Sequence, residues 1–169
     1  MDFMDFRLAL QKLEESKDFK KWKSQNNHIY FSYAFKIPQE MKTEEWQLGF
    51  YDKKKDKITT FMTGSNIETR KEDEVFKEET TEVKEIEINK IKLTFEKAII
   101  KADEFQQEKY PKDKALKTIA ILQNVEPHGN IWNITYITQA FNTLNMKIDA
   151  KTGDVLEHNH SSIFSFRKK

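Results

Sequence analysis

Apolar positions along this chain follow two different periods, and each change of period marks an element. From 3 to 23, Phe6, Ala9, Leu10 and Leu13 recur at helical spacing, which predicts an amphipathic helix. Phe19 and Trp22 fall on another face of the same helix. A break is therefore expected at Ser16, whose hydroxyl can cap a new first turn. From 29 to 37 the period drops to two. Ile29, Phe31, Tyr33, Phe35 and Ile37 alternate with Tyr30, Ser32, Ala34 and Lys36, which predicts a strand with its odd positions buried. Pro38 closes it, because proline has no N–H to give to a ladder. Strands are expected over 46–51 and 57–63, joined by the charged tip Asp52-Lys53-Lys54-Lys55-Asp56. Gly64-Ser65-Asn66 then signals a turn.

The stretch 68–87 is dense in charge and poor in apolar residues, so it reads as a linker with Val75 and Phe76 as anchors. Beyond it, Phe95, Ala98, Ile99, Ala102 and Phe105 form a second helical stripe. Thr94 is its N-cap and Tyr110-Pro111 its end. Strands follow over 115–123, 131–138 and 142–149, with Pro127 and Gly129 in the first loop. Val155-Leu156 resumes extended structure, and the alternation of Ile163, Phe164, Ser165 and Phe166 predicts an edge strand.

The two halves repeat one plan. Shifting the first by 86 residues, from 46 to 132, lays Trp46 on Trp132, Phe19 on Phe105, Ile58 on Leu144, Thr60 on Met146 and Met62 on Ile148. The expected fold is α+β, with two tandem helix-plus-antiparallel-sheet units. Residues 1–67 make the first unit, 68–87 the charged linker and 88–169 the second unit with a C-terminal strand. Half of a chain of 169 residues buries too little to be stable alone, so a shared core is expected.

Composition narrows the function classes. The 29 basic and 28 acidic residues give a net charge of +1, without the sign excess of a broad nucleic-acid or membrane-surface binder, though a local patch stays open. No Cys is present, so thiol chemistry is excluded. The first residues are acidic and lack a signal-peptide pattern, and no apolar run is long enough to span a bilayer. The expected location is cytoplasmic, unless a leader has been removed.

Several motifs carry a family resemblance. Phe95-Glu96-Lys97-Ala98-Ile99, Trp132-Asn133-Ile134-Thr135-Tyr136 and the run from Met146 to Leu156, with Asp149-Ala150-Lys151-Thr152-Gly153, together resemble a PepSY domain over about residues 88–157. The first half looks like a degenerate copy. In the closing turn, Asp149 can accept turn N–H groups, Thr152 belongs to the same motif, and Gly153 supplies a positive φ. The resemblance implies a binding or inhibitory module associated with peptidases. Gln123-Asn124-Val125-Glu126-Pro127 is also similar to the Q-x-V-x-G loop of cystatins, with Pro in place of Gly.

Catalytic motifs are missing: there is no phosphate-binding G-x-x-x-x-G-K, no G-x-S-x-G and no H-E-x-x-H. His158 and His160 share a strand face and, with His128, form a partial metal constellation. The competing reading is a polar tail, and no cofactor or metal is expected. His28, at a strand start, reads as structural. The expected function is non-enzymatic binding of a protein or peptide, with a peptidase as one partner and Gln123, Val125 and Trp132 at the contact. The alternative is a small-molecule pocket between helix and curled sheet.

Overall fold

The computed structural model describes residues 3–69, 72–74 and 82–168. Val75 and Phe76 lie outside them. Among the described residues the chain forms α1 (Phe6–Glu15), α2 (Lys17–Gln25), β1 (Tyr30–Lys36), β2 (Trp46–Asp52), β3 (Lys57–Thr63), β4 (Glu68–Thr69) and β5 (Asp73–Glu74). The second half adds α3 (Phe95–Lys109), β6 (Ala115–Val125), β7 (Gly129–Thr138), β8 (Asn142–Asp149) and β9 (Val155–Ser162). Short 3-10 turns span Ile88–Lys90 and Ile163–Lys168. The class is α+β. All strand pairs are antiparallel, in one sheet ordered β4-β3-β2-β1-β6-β7-β8-β9, with β5 also pairing with β3.

The helices form where caps permit. The Asp5 carboxylate accepts Arg7 N–H, the Ser16 hydroxyl accepts Phe19 N–H and the Thr94 hydroxyl accepts Lys97 N–H. Ser16 is extended, which separates α1 from α2 and turns Phe19 and Trp22 onto Phe50 and Phe61. All three helices lie on one face of the sheet, and one contiguous core runs beneath them.

Two strands, β1 and β6, join the halves through the pairs Tyr33–Gln123, Ala34–Leu122, Phe35–Ile121 and Lys36–Ala120. The shared core is centred on four aromatic side chains. Trp46 and Trp132 lie 6.2 Å apart between ring centroids, and the rings of Phe6 and Phe95 each contact both indoles. Phe6 and Phe95 are the first residues of α1 and α3.

Two expectations need correction. The alternation in 29–37 placed the odd positions in the core. A bulge between Phe31 and Tyr33 adds a residue and reverses the faces. Ala34 and Lys36 are therefore fully buried under the helices, while Tyr33 and Phe35 lie half-buried on the open face. The ring of Tyr33 lies over Gly49, where a Cβ would come within 2.0 Å of it, and its hydroxyl meets Thr60 Oγ1 at 2.9 Å. The stretch 68–87 is also no simple linker. Residues of β4 and β5 pair with β3, and Ile86 is buried with its N–H donated to the Phe31 carbonyl.

Lys36 is a buried cation held by geometry. Its ammonium donates to the carbonyls of Lys42, Thr43 and Glu45 and sits 4.9 Å from the Trp46 ring and 5.3 Å from that of Phe3. Burial pushes its pKa down to about 8, against the opposing pull of Glu45 and Glu44. This contact fixes the connection between β1 and β2 under the N-terminal segment.

Candidate functional site

The structure scatters the residues singled out from the sequence. Gln123 is paired on both sides, with Tyr33 of β1 and Ile131 of β7, and Val125 pairs with Gly129 at the hairpin end. The chain itself occupies the space beside this hairpin: Asn124 Nδ2 donates to the Glu85 carbonyl at 2.9 Å, and Lys84 pairs with Glu126. Trp132, expected at the contact, is fully buried. Its indole N–H donates to the Leu93 carbonyl at 3.1 Å, so it belongs to the core and touches no partner directly.

The Asp149 turn is a compact clamp. Asp149 Oδ1 accepts the N–H groups of Lys151 at 2.7 Å and Thr152 at 3.0 Å, while the Thr152 hydroxyl meets Asp154 Oδ2 at 3.0 Å. Gly153 has φ +84°, the left-handed region, and a Cβ there would stand 3.3 Å from Lys101 and 3.4 Å from Leu93. Between them, the buried carbonyl of Ala150 accepts the N–H groups of Lys92 at 2.8 Å and Leu93 at 2.9 Å. The Asp-Ala-Lys-Thr-Gly run thus turns the chain from β8 into β9 and fastens the strand end to the entry of α3.

That turn delivers β9 to the end of the sheet. The tail expected as a further strand instead leaves β9 as a 3-10 helix over Ile163–Lys168, because Ile163 N–H bonds the Phe141 carbonyl in the β7–β8 turn. Among the described residues, no strand pairs with the outer edge of β9. At the other end of the sheet, β4 and β5 lie along β3.

His158 and His160 do share one face of β9, over Tyr110. The Tyr110 ring stacks on His160 at 4.5 Å, and its hydroxyl meets His158 Nδ1 at 3.1 Å. His128 does not join them. It pairs with Glu157 at 3.0 Å, on the opposite face of the strand, as alternation requires. Among the described residues no group of three His, Cys, Asp or Glu side chains is placed to hold a metal. His28 pairs with the buried Asp52 at 3.1 Å.

One residue in this region escaped sequence reasoning. Asp113 is buried, and its carboxylate accepts from the Thr138 hydroxyl at 2.9 Å, Asn142 Nδ2 at 2.8 Å and His160 Nε2 at 3.0 Å. Burial raises its pKa, yet hydrogen bonds from Asn142, Thr138 and His160 outweigh this and hold it below the usual carboxylate range. Asp113 ties the end of β9 to the turn between β7 and β8. Its only sequence signal is a place just after Tyr110-Pro111.

A groove runs between the helices and the sheet in the first half. Its cavity measures about 570 Å³, over Leu10, Phe19, Phe31 and Phe50, with Lys20 and Lys23 among the polar lining.

No family model matches the chain, and no curated protein matches it in sequence. Among solved structures it is similar in fold to the crystal structure of a "putative lipoprotein" from Clostridium difficile 630. The TM-score is 0.53 at 12% identity, over 88% of this chain and 97% of that one. The likeness at that identity concerns the fold alone. Among the described residues no helix is long and apolar enough to cross a membrane.

Proposed function

We propose that this protein is a non-enzymatic module that captures an extended protein or peptide segment by strand addition along β9. The observation that carries this reading is the asymmetry of the sheet: one end is lined by β4 and β5, and the other ends on the edge of β9, which no strand among the described residues pairs with. An exposed edge presents a row of free N–H and C=O groups, which bind an added strand through main-chain hydrogen bonds. β9 has eight residues and carries neither Lys nor Pro, the side chains that most often guard an edge against pairing. It is also held firmly, by the Asp149 turn at its start and by the His160–Asp113 pair near its end. A rigid edge loses little entropy when a partner docks.

The resemblance of the β8–β9 turn to PepSY domains supports a peptidase, or a segment bound for one, as the occupant. Affinity in this mode comes from the backbone, with modest side-chain selection from Glu157, Asn159 and Ser161 on one face and the Tyr110–histidine cluster on the other.

The test is selection of a random peptide library on the immobilised full chain. Capture of extended peptides is expected, and it should drop in an Asn159→Lys, Ser161→Lys variant, which places edge-guarding cations without touching the core. Equal capture by the variant would remove β9 from the account. A second reading rests on the 570 Å³ groove, an apolar floor beside lysines that suits a small amphiphile. It is distinguished by loss of binding in Phe31→Asn rather than in the β9 variant.

A further inference from the structure

On the open face, opposite the helices, polar side chains of the outer strands line up in rows that stop at β9. Thr135, Asn145 and Asn159 make one row, and Thr143 and Ser161 the end of the next. Hydrogen bonds run along them. Asn145 Nδ2 donates to Thr135 Oγ1 at 2.9 Å and to Asn133 Oδ1 at 2.6 Å, and the hydroxyls of Thr143 and Ser161 meet at 3.1 Å. Among the described residues the exposed Asn159 amide has no hydrogen-bond partner, and the Ser161 hydroxyl keeps capacity for a second bond. A third row carries charge that is already neutralised: Glu157 pairs with Lys147 at 3.2 Å and with His128 at 3.0 Å.

Backbone direction decides which side chains meet an incoming strand most closely. Ile163 N–H points inward, to the Phe141 carbonyl, and main-chain groups along a strand alternate sides. Those of Ser161 and Asn159 therefore face β8, while those of His160 and His158 face outward. Opposite His158 and His160, an antiparallel partner forms its hydrogen-bonded pairs. Opposite Asn159 and Ser161 it forms non-hydrogen-bonded pairs, whose Cα atoms lie about 4.5 Å apart instead of about 5.5 Å, with side chains in closer contact.

The helix side of the same edge differs in character. The His158 ring lies 4.9 Å from Phe105 and the His160 ring 4.5 Å from Tyr110, between centroids. Each imidazole has one nitrogen engaged already, by the Tyr110 hydroxyl or by Asp113. A partner residue on this side meets a layer of flat rings.

We propose, resting on strand addition at β9, that the edge selects extended segments with Asn, Gln, Ser or Thr opposite both Asn159 and Ser161 and a bulky apolar or aromatic residue between them, beside His160. Small neutral polar side chains continue the two rows. An acidic or basic residue at those positions loses solvation and finds no unpaired opposite charge on this face. An apolar one covers the Asn159 amide without giving it a partner.

The test is fluorescence anisotropy of two labelled peptides with the full-length protein. One alternates Thr and Asn with Tyr. The other has Val for each Thr and Leu for each Asn, near-isosteric changes that remove the polar groups, and both end in lysines for solubility. The first should bind about fivefold or more tightly, since a single cross-strand pair is worth up to about fivefold. In an Asn159→Ala, Ser161→Ala variant that preference should vanish while both peptides still bind. Equal affinity of the two peptides for the wild type, or a preference of the same size in the variant, would overturn the proposal and leave strand addition standing. Binding of neither peptide would remove strand addition itself, and the proposal with it.

Discussion

Trp46 and Trp132 make the same hydrogen bond from opposite halves of the sheet. Trp46 donates its indole N–H to the carbonyl of Met4, the residue before the N-cap Asp5. Trp132 donates to the carbonyl of Leu93, the residue before the N-cap Thr94. Each indole therefore fastens the entry of its own helix to a central strand, and the two rings meet at 6.2 Å where the halves join.

Trp132→Phe should lose both that hydrogen bond and buried volume, at a cost of about 2–4 kcal/mol in urea unfolding. Trp46→Phe should cost a similar amount. Because the rings touch and share Phe6 and Phe95, the double variant should depart from additivity by about 0.5 kcal/mol or more. Strict additivity would mean that the halves are stabilised independently.

Gly153→Val places a β-branched residue at φ +84°, with Lys101 and Leu93 in the way of its side chain. The expected loss is on the order of 1–3 kcal/mol, from left-handed strain and crowding against Leu93 at the entry of α3. A melting temperature equal to the wild type would show that the turn is unconstrained.

Lys36 gives the protein a signature in alkaline solution. Its pKa falls from 10.5 unfolded to about 8 folded. Between those values the unfolded chain binds more protons, so this residue's contribution to stability rises with pH. Below about 8 the ammonium is charged in both states, and its desolvation opposes folding in full. Lys36→Met leaves three carbonyls without their donor and should destabilise by about 1–3 kcal/mol. Urea unfolding across pH 8 to 10.5 should show the wild type gaining on the variant. Parallel curves would place the titration elsewhere.

Much of this fold is written in local patterns. The Ser16 break, the Thr94 cap, the charged β2–β3 tip and the Asp149–Gly153 turn are short-range features, and each has a direct physical reading in neighbouring residues. The burial of Lys36 was hidden because one bulged residue in β1 reverses the meaning of every alternate position after it. Gly49 gave no sign of the tyrosine ring that covers it, since Tyr33 arrives from another strand. The pairing of β1 with β6, the place of Ile86 in the core and the grip of Asp113 on His160 all depend on contacts distant in sequence. The candidate edge was missed for a related reason. Periodicity marked Ile163–Phe166 as extended, and only the hydrogen bond from Ile163 to Phe141 turns the chain away and leaves β9 outermost.

The central claim, strand addition at β9, is tested most directly by amide hydrogen exchange with and without a peptide selected on the full chain. In the free protein, outward-facing amides of Val155–Ser162 should exchange rapidly, because no strand among the described residues covers them. With the peptide bound, those same amides should slow about tenfold or more, while α1 and α2 are unchanged. Protection that appears instead around Phe19, Lys23 and Phe31, with β9 unaltered, would contradict the account and place the ligand in the groove beneath the helices.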